Sequence, residues 1–558
     1  MASKSPRPGR VGRQRKTALA VDTHLGSYDR TDPFRAFSVL AGLLGSLASR
    51  LGGCQYKLTP EEHKLSLHLL TIVEPYIGCG ASSERTLITR QPTEILDAIV
   101  FHIDDKRDLV ALAVSCRRMH GVVVPRHLDY RVVRCKVSSI SVWNHLIVNR
   151  SLARNVRRLE ILDERASGEA VRIPGGVVGT DTDLESTDDE LGMHEKQERF
   201  LVSALARMSA LRSFVWSCNH SPISIDNVWP TLLKCQTLSE VEINDNMIFG
   251  PTSDSGEDSR AARSLVLPSV KTASFQSTKH IYGSCQNPEL GRIKDMLNYC
   301  PNLEDLNISY ARPRPPFAAY IPADELFLYG RWPSLTTLTL TNLRGASDAA
   351  STFLSSHPSL EVLNLDITPI TLYPNSLPRL RELTAHKDVV TAILECGPHP
   401  LETIKGVRLS GPCDAFLSSL KRFGGSVKRV ELEGWSDMDD IRRLVESAPT
   451  LSWLDTGKKL SGGQNSGGVV EWANVLAGLT ELVAFHGVKF FYEASALVSA
   501  TSMADRSRFR KNDEIASLLA WKCGKLRRVD HWEDGSGKVV VLVRERDGVK
   551  WEVRRVRQ

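Results

Sequence analysis

A short apolar figure, Leu-x-x-Leu-x-Leu or a close relative, returns thirteen times between Val156 and Val529, usually behind a Pro or Gly. The clearest copies are CPNLEDLNI from Cys300, WPSLTTLTL from Trp332, HPSLEVLNL from His357 and LPRLRELTA from Leu377. Weaker copies begin at Val156, Leu211, Leu238, Val270, Ile404, Val427, Leu451, Leu479 and Leu526. Most neighbouring copies start roughly 20 to 33 residues apart. In each copy the first, fourth and sixth residues point inward, and the last three form a short strand whose alternate side chains face opposite ways. No unit of this size closes a core alone. Stacked units bury a continuous apolar column and pave a concave face with the residues in between. Segments of helical pattern, such as ADELFLYG before Arg331 and MDDIRRLVESAP before Thr450, return the chain to the next strand. The expected fold is therefore an α/β solenoid.

A solenoid absorbs most of a 558-residue chain as one body, and a composition of 42% hydrophobic and 24% charged residues supplies the long core it needs. Residues 1–58 read as a basic, largely disordered tail, with Lys4, Arg7, Arg10, Arg13, Arg15 and Lys16 near its start and a helix at 36–51 too short to span a bilayer. Residues 59–90 read as a helical lead-in and linker. Eleven cysteines lie singly with no Cys-x-x-Cys pair, which points to reduced thiols in cytoplasm or nucleus and away from a zinc or disulfide framework. Within the repeat region 136–530, residues 179–198 form an acidic insertion and 250–260 a Ser/Asp/Gly-rich one, both expected as surface loops. At the end, 531–558, two strand-like runs flank Asp547-Gly548, a hairpin signal.

No phosphate-binding Gly-x-x-x-x-Gly-Lys-Ser/Thr, His-Glu-x-x-His or Gly-x-Ser-x-Gly figure occurs, so no catalytic residue, cofactor site or metal site is expected. A nucleic-acid binder would lay a basic stripe along the strands. The strand positions that alternate with the buried ones are instead mixed, and Asn307, Thr339, Asn364, Glu382, Arg429, Glu431 and Trp453 are the candidates for holding a protein target. Trp453 is the strongest of them as an aromatic anchor, with packing on its neighbouring repeat as the alternative role.

The segment 91–135 stands outside the repeat pattern. In QPTEILDAIVFHIDDKRDLVALAVSCRRMHGVVVPRHLDYRVVRC, Pro92 suits a first helical turn, and Ile95, Leu96, Ile99 and Ile103 recur at helical spacing. Asp105 caps a second helix with Leu109, Leu112 and Ala113, a third runs through Cys116 and Met119 to Val124, and a fourth is expected from Pro125. The run Pro92, Glu94, Ile95, Leu96, Ile99, Asp108, Leu109, Leu112, Cys116, Arg117 and Arg118 resembles the F-box, with Gln91 where that family favours Leu and Met119-His120 where it favours an aromatic. An F-box followed by leucine-rich repeats is similar to the substrate receptors of cullin-RING ubiquitin ligases, and the two ends of the repeat region look like fungal members. The resemblance implies an all-helical F-box module before a leucine-rich-repeat horseshoe. It also implies a Skp-type adaptor bound through Pro92, Ile95, Leu96, Ile99, Leu109, Leu112, Cys116 and Met119, a cullin-RING ligase reached through that adaptor, and a target protein of unknown identity on the repeats. Chemistry would then occur on other subunits, with no nucleic acid or membrane as partner. The alternatives are a repeat scaffold acting outside any ligase and, more remotely, a GTPase-regulating repeat protein.

Overall fold

The computed structural model describes residues 22–47, 58–77, 88, 91–167, 170–175, 177, 190–221, 223–251, 266–279, 282–283, 285–311, 320–367, 370–460, 468–493, 503–546 and 548–555. The chain divides into two compact units, Met1–Ala98 and Ile99–Gln558.

The first unit is built on two helices, α1 (Pro33–Leu47) and α2 (Pro60–Ile77). Asp32 caps α1 by accepting the Arg35 N–H at 3.0 Å, and Pro33 occupies the turn where a missing N–H costs nothing. A reciprocal box opens α2: Thr59 Oγ1 accepts the Glu62 N–H at 3.2 Å, and Glu62 accepts the Thr59 N–H at 2.8 Å. Ala36 and Leu40 of α1 meet Leu65, Leu69, Ile72 and Val73 of α2 at helical spacing. Residues 1–21 of the expected tail lie outside the described residues. Helix α3 (Thr93–Phe101) crosses the boundary into the second unit, where α4 (Lys106–Ser115) and α5 (Arg117–Val123) follow. Asp105 caps α4 through the Arg107 N–H at 2.6 Å, and the Cys116 sulfur accepts the Met119 N–H at 3.4 Å to start α5.

Among the described residues, the rest of the second unit is an α/β array around a sheet of 17 strands, mostly parallel and not closed into a barrel, with a separate small pairing of Ile321–Pro322 with Leu343–Arg344. In chain order its strands are β1 (Val132–Lys136), β2 (Arg158–Leu162), β3 (Ser213–Trp216), β4 (Glu240–Asn244), β5 (Thr272–Gln276), β6 (Asp305–Ser309), β7 (Thr337–Thr341) and β8 (Val362–Leu365). They continue with β9 (Glu382–Ala385), β10 (Thr403–Leu409), β11 (Arg429–Trp435), β12 (Trp453–Asp455), β13 (Ala484–His486), β14 (Arg528–Asp530), β15 (Lys538–Glu545) and β16 (Gly548–Arg555). The short strand Lys458–Lys459 adds to the end of β11. From β1 to β14 each strand pairs parallel with the next in sequence.

Each of the thirteen figures carries or runs into one of the strands β2 to β14. Its first, fourth and sixth residues are the core: Leu303, Leu306 and Ile308, or Leu335, Leu338 and Leu340, are fully buried. Each such side chain gains about 1.5 to 3 kcal/mol on leaving water. The small hydroxyl residue before the figure stitches its unit to the one before. Thr237, Ser359 and Ser426 donate to the carbonyls of Leu211, Leu335 and Leu401 at 2.7, 2.7 and 2.8 Å.

Three expectations are corrected. The strand β1 lies inside the segment read as wholly helical, because DYRVVRC alternates as a strand and pairs with β2. No helix starts at Pro125: Val124 before it is extended (φ −108°, ψ 131°), as a pre-proline residue prefers, and turns lead on to β1. The acidic insertion is shorter than 179–198, since Glu190–Leu205 is a helix that carries the buried Leu201, Ala204 and Leu205 into the core. Residues 178–189 and 252–260 lie outside the described residues.

His357 shows how a polar group enters this core. Its ring is fully buried; Nε2 accepts the Trp332 N–H at 3.1 Å, and Nδ1 lies 2.7 Å from the Phe353 carbonyl. Burial pushes its pKa down, with the Phe353 carbonyl opposing. An unfolded histidine titrates near 6.5. Below that pH the unfolded chain takes up a proton that the folded chain resists, so this contribution to stability is complete above about pH 6.5 and is lost as pH falls through the lower folded value. The melting temperature is expected to drop between about pH 7 and pH 5, and His357→Gln is expected to flatten the drop in a thermal-unfolding series. His145 and His531, whose pKa values burial also lowers, keep part of it.

Candidate functional site

The alternation along the strands leaves one face of the sheet open. Register places Asp305, Thr337, Val362, Glu382, Thr403, Arg429 and Trp453 in one row across seven neighbouring strands, β6 to β12. A parallel row runs Ser274, Asn307, Thr339, Asn364, Thr384, Lys405, Glu431 and Asp455. All seven target-site candidates therefore share this face: Asn307, Thr339, Asn364 and Glu431 in the second row, Glu382, Arg429 and Trp453 in the first.

The middle of the face is mostly a field of hydroxyls and amides, with the Asp305 carboxyl among them. Ser309 Oγ donates to Asn307 Oδ1 at 2.6 Å, and Asn307 Nδ2 donates to Ser274 Oγ at 3.1 Å. Towards β14 the field becomes charged and aromatic. Lys405 pairs with Glu382 at 2.5 Å, and Arg429 Nε donates to Glu431 at 2.6 Å while its guanidinium lies 4.2 Å from the centroid of Trp453. The Trp453 ring stacks on His486 at 4.8 Å, and His486 Nδ1 pairs with Asp530 at 2.6 Å. Asp530 also accepts the Gly487 N–H at 2.6 Å. Gly487 sits at φ +96°, and a Cβ there would collide with Thr456 Oγ1, so only glycine fits this close approach. Burial pushes the Asp455 carboxyl up, a hydrogen bond from the Gly457 N–H opposing it. At the other end Glu160 is buried between Arg134 and Arg158. Burial raises its pKa, but the hydrogen bonds from Arg158 and then Arg134 outweigh this and hold the carboxyl below its usual range. Trp453 is half-buried within its stack, so packing on the neighbouring repeats and presentation of one edge to solvent coexist in it.

A second surface lies on the short helices. Of the eight residues expected to meet an adaptor, Pro92, Ile95 (49%) and Ile99 (41%) are exposed, and Leu112 and Cys116 are half-buried. Leu96, Leu109 and Met119 are buried. Sequence reasoning missed Val110 (40% exposed) and Val114 (76%), one turn apart on α4. The signal for them is the spacing of four residues, which sets them on one face while Leu109 and Ala113 define the buried one. It also missed Lys405, His486 and Asp530, although each occupies an open-face position of its strand.

Among the described residues no helix is long and apolar enough to cross a membrane. A scan against protein-family models and a search of curated proteins return no match.

Proposed function

We propose that the chain is the target-recognition subunit of a Skp-cullin-F-box type ubiquitin ligase, with α3 to α5 as an F-box and the sheet and its returning helices as leucine-rich repeats. The observation that carries this reading is the division of α3 and α4 into buried and exposed apolar faces. Leu109 and Ala113 are buried while Ile99, Val110 and Val114 remain in water, on helices too short to need a second apolar face for their own folding. Apolar side chains at helical spacing are what a partner's groove takes up. The chain itself supplies no chemistry in this reading. It holds a target near a transfer centre on another subunit, and proximity does the rest. Co-purification of the full chain with a Skp-type adaptor is the test. Absence of a complex between the purified proteins at micromolar concentration overturns the reading in favour of a scaffold outside any ligase.

The target belongs on the open face, between that field of hydroxyls and amides and Trp453. Several of its charged side chains pair with each other, Glu382 with Lys405, Glu431 with Arg429 and Glu433 with Arg408, which leaves the carboxyls of Asp305 and Asp455 outside these pairs. Recognition in this reading rests mainly on polar and aromatic contact, with charge contributing less. In a displayed library of extended peptides selected on the purified chain, binding is expected to change little from about 0.1 M to about 1 M salt, over which the screening length falls from about 10 Å to about 3 Å. Truncating Trp453 to Ala is expected to weaken the selected peptides about 30-fold, the worth of one aromatic anchor. Selection of acidic or phosphorylated sequences with steep salt dependence would place the target elsewhere.

A further inference from the structure

The residue immediately before each of the first three strands is an arginine: Arg131 before β1, Arg157 before β2 and Arg212 before β3. Backbone hydrogen bonds join them in series, Arg157 N–H to the Arg131 carbonyl at 3.0 Å and Arg212 N–H to the Arg157 carbonyl at 2.8 Å. The same position before the next four strands holds Ser239, Lys271, Glu304 and Thr336, so the run is confined to the start of the sheet.

All three converge on the end of α3 and the turn that follows it. Arg131, only 5% exposed, donates from Nη2 to the carbonyls of Val100 (2.9 Å), Phe101 (3.2 Å) and Ile103 (2.8 Å), and from Nη1 to that of Asn155 (3.3 Å). Arg157 donates to the Phe101 carbonyl at 2.7 Å and to that of Ala210 at 3.1 Å, with its guanidinium 4.2 Å from the Phe101 ring centroid. Arg154 adds a second cation 5.3 Å from that centroid. Asp104, in the turn, pairs with Arg212 at 2.8 Å and lies 3.6 Å from Arg157. Helix C-termini leave carbonyls without partners and carry partial negative charge, so cationic donors there satisfy both needs together. A planar fork reaches several carbonyls at once, which an ammonium does not.

We infer that these arginines form a clasp that couples the end of α3, whose exposed face carries Ile99, and the turn that leads into α4 to the first three strands, with Arg131 as its central positioning residue. A partner seated on that face is then fixed in orientation relative to the open sheet, and its binding energy is felt in β1 to β3. The inference rests on the adaptor reading for the identity of the partner, but the clasp itself is independent of it.

Amide hydrogen exchange on the full chain decides it. Arg131→Ala is expected to speed exchange in residues 99–109 about tenfold or more while leaving β8 to β14 unchanged, because local openings differ in free energy along a structure. Arg157→Lys keeps the charge beside Asp104 but loses the fork, and an increase of about threefold is expected. That milder variant decides the matter if Arg131→Ala does not fold. In wild type, saturation with purified Skp-type adaptor is expected to slow exchange in β1 to β3; in Arg131→Ala this slowing disappears while adaptor affinity stays within about threefold. Unchanged exchange in 99–109 in both variants, or adaptor protection of β1 to β3 that survives Arg131→Ala, overturns the clasp. Failure of wild type to bind the adaptor removes the ligase reading, and the clasp is then judged on the adaptor-free exchange of the variants.

Discussion

If the proposed F-box reading holds, a chain carrying Ile99→Glu and Val114→Glu keeps its melting transition and loses the Skp-type adaptor that the wild-type chain binds. Both side chains are exposed on helices, and glutamate is a good helix former, so the cost in stability stays within about 0.5 kcal/mol for each. Burying a carboxylate in an apolar groove forfeits each contact and adds desolvation. Two hot-spot losses of about 2 kcal/mol each predict a fall in affinity of about a thousandfold, measurable by titration calorimetry. The contrasting variant is Leu109→Ala. Its side chain is fully buried, so about 2 to 5 kcal/mol of stability is lost and adaptor binding fails with the fold. If Ile99→Glu with Val114→Glu binds the adaptor as wild type does, these helices are not the docking surface.

The second large effect belongs to the far end of the sheet. Trp472 is fully buried, edge-on to Trp435 at 5.4 Å and tilted against Phe485 at 5.4 Å. Trp472→Ala removes about 3 to 5 kcal/mol from the strands around it. In a stack where each unit touches mainly its neighbours, that loss is not shared evenly. Denaturant unfolding should split into two phases, with β11 to β16 opening first and β1 to β5 near their wild-type midpoint, as hydrogen exchange across the transition would resolve. One cooperative transition shifted as a whole would show that the sheet behaves as a single unit.

The strand positions were legible because the apolar figure states two things together: which residues are buried, at period two within the strand, and where each unit begins. The open face followed from the same alternation, which is why all seven target-site candidates fall on it. The short helices were less legible for a physical reason. In TEILDAIVF nearly every turn offers an apolar residue on every side, so helical period alone does not choose between Ile95 and Leu96. Only the packing does, and it took Leu96, Leu109 and Met119 inside. The pair His486 and Asp530 was illegible because 44 residues separate its members, and only the register of β13 and β14 brings them together. The arginines before β1, β2 and β3 were visible as letters. Their meaning required knowing that the end of α3 lies over them.

The sheet ends in a reversal. After a long series of strands running the same way, β15 returns antiparallel against β14, and β16 antiparallel against β15 with Glu545 facing Gly548, while Asp547 of the expected hairpin signal lies outside the described residues. Val540 and Leu542 are buried beneath it, while Lys550, Glu552 and Arg554 line the outermost strand. Two reversals return β16 to the direction of the repeats, so strand direction alone would admit another parallel strand at that margin, and the row of charges along β16 is what keeps the edge from pairing with one.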